Sequence, residues 1–259
     1  MIVMELGNAD LSSWMRSLSR KPNQLPFPAF VADPDLVRSL FRQMAHAISL
    51  LHSRGIVHND LKPSNFLFTD GCRLKLIDFG VSRQLEVDKT SQVELDKLCG
   101  TLDYMSPERL SDRRTSPAGD VWALGCILHE LAFGIAPFGH LKTAISKISA
   151  IAGWPHNPNI PFPPKNLLHE SCAKVLDDDV LISLIKICMC KAPKQRPTAG
   201  DLLHHPFLTG SPKRSHISLN EAFAVLREAA AKHQNGDDRR HFVSQALDYI
   251  IGSSQSPPI

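Results

Sequence analysis

The chain has 259 residues, 43% of them hydrophobic and 21% charged, which is enough apolar material for one large core or two smaller ones. A disordered tail and a fibrous repeat are thereby excluded. Lys plus Arg number 29 against 26 Asp plus Glu, a formal charge of +3, with no long single-sign block to mark a nucleic-acid or membrane surface.

The first ten residues hold no basic stretch and reach Glu5 early, and no apolar run approaches the ~20 residues that span a bilayer; the expectation is a soluble, intracellular protein. Asp10 followed by Leu11, Trp14 and Met15 predicts a capped short helix that the Pro-rich stretch 21–34 cannot continue. Over 35–53, Val37, Leu40, Phe41, Met44, Ala45, Ile48 and Leu51 recur at helical spacing, with Gly55 just beyond as a stop, and predict one long buried helix. Two β-like pieces, 66–69 and 73–77, flank Asp70-Gly71, a strong hairpin signal. Polar sequence over 82–97 reads as loop. Helical patterns resume at roughly 119–133, 141–151, 179–190 and 199–205.

Beyond Leu208, Ser218 and Glu221 form a capping-box pair ahead of Ala222, Phe223, Leu226 and Ala230, and a second amphipathic run ends at Gly252. The six cysteines, Cys72, Cys99, Cys126, Cys172, Cys188 and Cys190, include no paired CxxC knuckles, which fits a reducing compartment and argues against structural zinc. Cys188 and Cys190 read as small hydrophobes on an apolar helix, and the adjacent His204 and His205 do not share a helix face as metal ligands would. The expected fold is mainly α with a small β-hairpin, divided into a body at 1–209 and a helical extension at 210–259.

Chemistry concentrates in His58-Asn59-Asp60-Leu61-Lys62-Pro63-Ser64-Asn65, on a tight loop between a helix and the hairpin that Pro63 stiffens. Asp60 suits acceptance of a proton from an attacking hydroxyl, Lys62 suits neutralising a phosphoryl group in flight, and the Asn65 carbonyl suits a hard cation. Asp78-Phe79-Gly80 leaves the hairpin with a carboxylate facing the same loop, a second oxygen donor for Mg²⁺ on nucleotide phosphates. Further on come Gly100-Thr101-Leu102-Asp103-Tyr104-Met105-Ser106-Pro107-Glu108, a helical run with Asp120, Trp122 and Gly125, and Arg196, which is a natural bidentate partner for Glu108.

In this order and spacing, HxDLKPxN, DFG, SPE, DVWALG and QR over 1–208 resemble a protein kinase of the serine/threonine kind. Met4-Glu5-Leu6-Gly7-Asn8-Ala9-Asp10, Asn65-Phe66-Leu67 and the stretch from Ala144 to Ile151 are similar to the monopolar-spindle kinases, also called TTK, which are dual-specificity checkpoint kinases. That resemblance implies Ser or Thr acceptors, with Tyr also admitted, ATP and Mg²⁺ as cofactors, protein substrates, and kinetochore proteins as partners. It also implies a nuclear, spindle or cytoplasmic location. It makes Met4 the gatekeeper, sets the Glu5 carbonyl and Gly7 N–H against adenine, Asp10 near the ribose and Leu67 under the base, and has Thr101 orient Asp60 and Lys62. Thr90 and Ser91 fall where the family's activation loop is autophosphorylated, and Asn59 stands where most kinases carry arginine. No GxGxxG loop or VAIK-like lysine precedes Met4, so the expectation is hinge plus large lobe, without the β-rich lobe that would come first. A catalytic fragment and a non-catalytic, pseudokinase-like binding module both stay open.

Overall fold

The computed structural model describes residues 9–18, 34–69, 73–85, 93–94, 101–152, 160–164 and 178–210. Met4, Glu5 and Gly7, the Asp70-Gly71 turn, Thr90 and Ser91, and the expected helices beyond 210 lie outside them.

Helices make up most of what is described. β1 (Ala9–Asp10) leads into α1 (Leu11–Leu18), and α2 (Pro34–His52) is followed by the strand β2 (Ile56–Val57). β3 (Phe66–Thr69) and β4 (Arg73–Leu76) form the expected hairpin, and the two-residue strands β5 (Arg83–Gln84) and β6 (Val93–Glu94) lie in the stretch read as loop. α3 (Pro107–Asp112), β7 (Arg114–Thr115) and α4 (Pro117–Phe133) come next, then α5 (Ala144–Ala152), α6 (Asp179–Cys188), α7 (Ala199–Leu202) and α8 (Pro206–Thr209).

α4 is the axis of the core. From Asp120 to Phe133 every residue but Glu130 is buried, the pattern of a helix surrounded by protein rather than lying on its surface. α2 offers it an apolar stripe of Val37, Leu40, Phe41, Met44, Ala45 and Ile48, and α6 offers Leu181, Leu184, Ile185 and Cys188. Each large side chain so buried contributes about 1.5–3 kcal/mol. α4 and α6 approach closely at Gly125, where a Cβ would lie 2.7 Å from the Cys188 Cβ and 2.8 Å from the Met189 Cγ. The helix ends at Gly134, whose φ of 73° makes the left-handed cap that a side chain would disfavour.

Two boundaries and one short helix differ from expectation for local reasons. α5 starts at Ala144 rather than 141 because the Thr143 Oγ1 accepts the Ser146 N–H at 3.1 Å, an N-terminal cap. The helix expected over 199–205 stops at Leu202, since His205 precedes Pro206 and is extended. A capping box at Thr198 and Asp201 opens it. α3 went unpredicted because six residues give too short a periodic signal.

The sheets are small and position the loops. β1, β3 and β4 form one antiparallel sheet in the order β1-β3-β4, with Asp10 opposite Leu67 and Phe66 opposite Leu76. β2 pairs with β5, and β6 with β7. Both pairings join segments distant in sequence, so no short-range hairpin signal marked them.

Candidate active site

The loop 58–65 runs from β2 to β3 and ends in a 3₁₀ turn at Pro63–Asn65, whose first position suits the fixed φ of proline. Asp60 is held on all its polar atoms. Lys62 Nζ pairs with Oδ2 at 2.7 Å, and the Thr101 N–H donates to Oδ1 at 3.0 Å. Its carbonyl accepts from Asn65 Nδ2 at 2.7 Å, and its own N–H donates to His58 Nδ1 at 3.4 Å. The resemblance set Thr101 beside Asp60 and Lys62. The contact found is made to Asp60 by the main chain, and Lys62 is reached through their shared carboxylate.

Asn59 takes a left-handed φ of 71°, a conformation in which asparagine is enriched several-fold among non-glycine residues. Its N–H donates to Asp120 Oδ1 at 2.9 Å, the His58 N–H donates to Oδ2 at 2.8 Å, and His52 Nε2 reaches the same oxygen at 2.9 Å. Asp120 is 1% exposed, a buried carboxylate made tolerable by three donors. On the other side of the loop, Arg109 Nη1 of α3 donates to the Asn59 carbonyl.

The hairpin delivers the other acidic group. Ile77 N–H donates to the Asn65 carbonyl at 2.9 Å, so Asp78 follows directly beside Asn65. Asp78 has a φ of 64°, left-handed and strained by about 1–3 kcal/mol, and its Oδ1 accepts the Gly80 N–H at 3.2 Å. Phe79 rests edge-on against the His58 ring at 5.3 Å. His58 Nε2 lies 3.3 Å from the Ile77 carbonyl; with Nδ1 accepting from Asp60, these bonds fit the tautomer protonated on Nε2.

Asn65 and Asp78 fit a magnesium ion. The Asn65 amide nitrogen is committed to the Asp60 carbonyl, which turns its oxygen outward from that bond, and the Asp78 carboxylate is exposed. Among the described residues no group of three or more His, Cys, Asp or Glu could hold a metal. Leu67, half-buried on β3, faces Asp10 across the strand pair. Both Asp10 carboxylate oxygens engage Ser13, the N–H at 2.8 Å and the hydroxyl at 2.6 Å, as the predicted cap of α1.

The segment that supplies Thr101 is anchored at three further points. Lys147 of α5 pairs with Asp103 at 2.5 Å, and the Tyr104 hydroxyl donates to Glu130 at 2.6 Å. Burial, with Glu130 alongside, holds the Tyr104 phenol far above its ordinary range, so it remains a donor. Burial also raises the Glu130 carboxyl, opposed by that hydrogen bond. Glu108 receives both Arg196 terminal nitrogens, at 2.7 and 2.8 Å. Arg196 also donates to the carbonyls of Ala118, Cys190 and Lys191, and it stacks over Trp122 at 5.0 Å.

The profile of the protein kinase domain matches residues 1–208. The chain belongs to the protein kinase family. Among its relatives are the mouse dual specificity protein kinase TTK, 37% identical over 222 residues and 82% of this chain, and the zebrafish (Danio rerio) Ttk, 38% identical over 243 residues and 89%. The serine/threonine-protein kinase mph1 of Schizosaccharomyces pombe is 36% identical over 230 residues and 82% of this chain. The matches span 23%, 22% and 32% of those relatives' own lengths.

Within this kinase fold the sequence motifs marked Asp60, Lys62, Asn65 and Asp78 as candidates but gave no sign of the side chains that hold them. Arg109 and the three-donor role of Asp120 depend on α3 and α4 meeting the loop, and the Lys147–Asp103 pair depends on α5 meeting the 102–104 turn. A lone arginine after Pro107-Glu108 carries no periodic or motif signal. Among the described residues no helix is long and apolar enough to cross a membrane.

Proposed function

We propose that this chain transfers the γ-phosphoryl group of ATP to Ser or Thr hydroxyls of proteins, with Tyr as a further acceptor, as a dual-specificity kinase of the monopolar-spindle type. The observation that carries the reading is Asp60, fixed by Lys62 and the Thr101 N–H beside Asn65 and Asp78. In the reaction Asp60 orients the acceptor hydroxyl and takes its proton as the oxygen attacks phosphorus. Lys62 offsets the negative charge that spreads over the transferring oxygens. Asn65 and Asp78 would hold magnesium, which when bound would supply charge neutralisation at the nucleotide phosphates.

The same reading gives Met4, Glu5 and Gly7 to the adenine, Asp10 to the ribose and Leu67 to the underside of the base. The Asp10–Leu67 strand pairing supports it by bringing those two residues together. Kinetochore proteins are proposed partners, and nucleus, kinetochore, spindle or cytoplasm the proposed location, on similarity to the TTK relatives. A non-catalytic binding module would have no physical need of Asn65 and Asp78 as paired oxygen donors, and the reading is weaker for it.

The test is Mg²⁺-dependent transfer of labelled phosphate to a generic Ser/Thr protein substrate, by the chain and by the longest encoded form that contains it, with Asp60→Asn as control. Transfer that disappears in the control is expected. Equal labelling with and without Asp60, or none from either form, would overturn the proposal.

A further inference from the structure

The peptide unit that joins Asn59 to Asp60 sets where the Asp60 side chain starts, and it is held at both ends. Its N–H, which belongs to Asp60, donates to His58 Nδ1 at 3.4 Å, a long bond. Its carbonyl, which belongs to Asn59, accepts from the Arg109 guanidinium. Arg109 is 6% exposed and lies on α3, fifty residues away in sequence. Asp120 fixes the preceding N–H groups from α4, so the loop is gripped between a carboxylate on one helix and a guanidinium on another.

The surroundings make this grip matter. A small cavity of mixed polar and apolar lining borders the loop, with Asn59, Asp60, Leu61, Thr101, Met105 and Arg109 among the residues around it. Backbone beside a cavity is positioned less by close contact than by its hydrogen bonds. The left-handed Asn59 needs such support, because that conformation persists only where its surroundings impose it. Charge-assisted bonds are about twice as strong as neutral ones, and this one acts on the peptide next to the reacting carboxylate.

We propose that Arg109 is a positioning residue for Asp60, acting through the Asn59 carbonyl to set the carboxylate against the acceptor hydroxyl. This rests on the reading of Asp60 as the group that receives the hydroxyl proton. Arg109 touches neither nucleotide nor acceptor in this scheme. Its loss therefore lowers turnover and leaves substrate affinity almost intact. A guanidinium reaches the carbonyl with a fixed planar fork, whereas a lysine at the same place brings charge without that geometry.

The experiment uses the full chain with Arg109→Gln and Arg109→Lys, measuring kcat and KM, melting temperature, and hydrogen exchange at the Asn59 and Asp60 amides against those of α6. For Arg109→Gln, kcat falls about 10- to 100-fold, the scale of a small misplacement of a reacting group, while KM changes by less than about threefold. Exchange at the two loop amides rises about tenfold or more with α6 unchanged, since opening is local. Arg109→Lys recovers part of both effects.

Unchanged kcat with unchanged loop exchange in Arg109→Gln would overturn the proposal, as would equal acceleration in the loop and α6, which marks general destabilisation. Should the Gln variant fail to fold, Arg109→Lys is decisive: normal exchange at Asn59 and Asp60 overturns the proposal, and locally raised exchange upholds it. Should the unaltered chain transfer no phosphate, the functional reading fails by itself, and the exchange measurement still decides whether Arg109 holds the Asp60 peptide.

Discussion

The main-chain N–H of Thr101 donates to Oδ1 of Asp60 at 3.0 Å, while Lys62 occupies Oδ2 at 2.7 Å. Both carboxylate oxygens thus face donors, and the carboxylate's direction is fixed from two sides. Asp60→Asn presents an amide NH₂ to one of those donors, a clash of like groups that turns the side chain away. The expected outcome is a loss of phosphate transfer of about 10²-fold or more, in line with removal of a general base, with melting temperature nearly unchanged because Asp60 is only partly buried. Steady-state kinetics and a thermal melt on the same samples check both parts.

The Arg196–Glu108 pair predicts an asymmetric stability effect. The two side chains are 0% and 9% exposed, and removing one partner of a buried pair costs about 3–5 kcal/mol. Arg196→Met should cost more than Glu108→Gln, because it also strips three carbonyls and the Trp122 ring of their partner. Urea unfolding of the two variants gives the order directly, and equal costs would contradict it.

Two glycines of α4 should respond with opposite sign. Helix propensity alone favours alanine over glycine by up to about 1 kcal/mol. At Gly119 the new Cβ meets the Ser106 Oγ at 3.5 Å, an ordinary contact, so Gly119→Ala should be neutral or stabilising. At Gly125 the clash with Cys188 and Met189 outweighs propensity, and Gly125→Ala should destabilise by about 1–3 kcal/mol. Denaturant midpoints of the two variants test the sign.

Burial drives the pKa of His129 on α4 down to about 4 from 6.5, despite its 2.8 Å bond to the Ile135 carbonyl. Below pH 6.5 the unfolded chain takes up a proton that the folded chain refuses, so this contribution is whole above pH 6.5 and falls away toward pH 4. The loss is roughly 3 kcal/mol across that window. Glu130, raised by burial, acts with the opposite sign, its contribution being lost as pH rises. The clean measurement is therefore the difference between the wild type and His129→Asn, whose amide can keep the carbonyl bond. The variant's stability should fall less steeply from pH 6.5 to 4, and parallel curves would refute the assignment.

Much of the site was legible because phosphoryl-transfer chemistry uses few residue types at fixed local spacing. Asp60, Lys62 and Asn65 lie within one loop, and Asp78 follows a strand pair that places Phe66 opposite Leu76. The long helices showed as well, since α2 and α6 each present an apolar stripe. The short pieces did not: β1, β2, β5, β6 and β7 have two residues each, too few to show any period.

The sequence by itself determined the helical body, the β3–β4 hairpin, the grouping of Asp60, Lys62 and Asn65 on one loop, and Arg196 as the partner of Glu108. Each of these follows from local spacing, or from a charge pair with few alternatives. Only the tertiary structure decided that Arg109 grips the Asn59 carbonyl, that Asp120 collects three donors, that Lys147 meets Asp103, and that Thr101 acts on Asp60 through its main chain. Those contacts form where α3 and α4 meet the loop and α5 meets the 102–104 turn, and they depend on helix positions fixed by the whole core, for which no local pattern is a substitute.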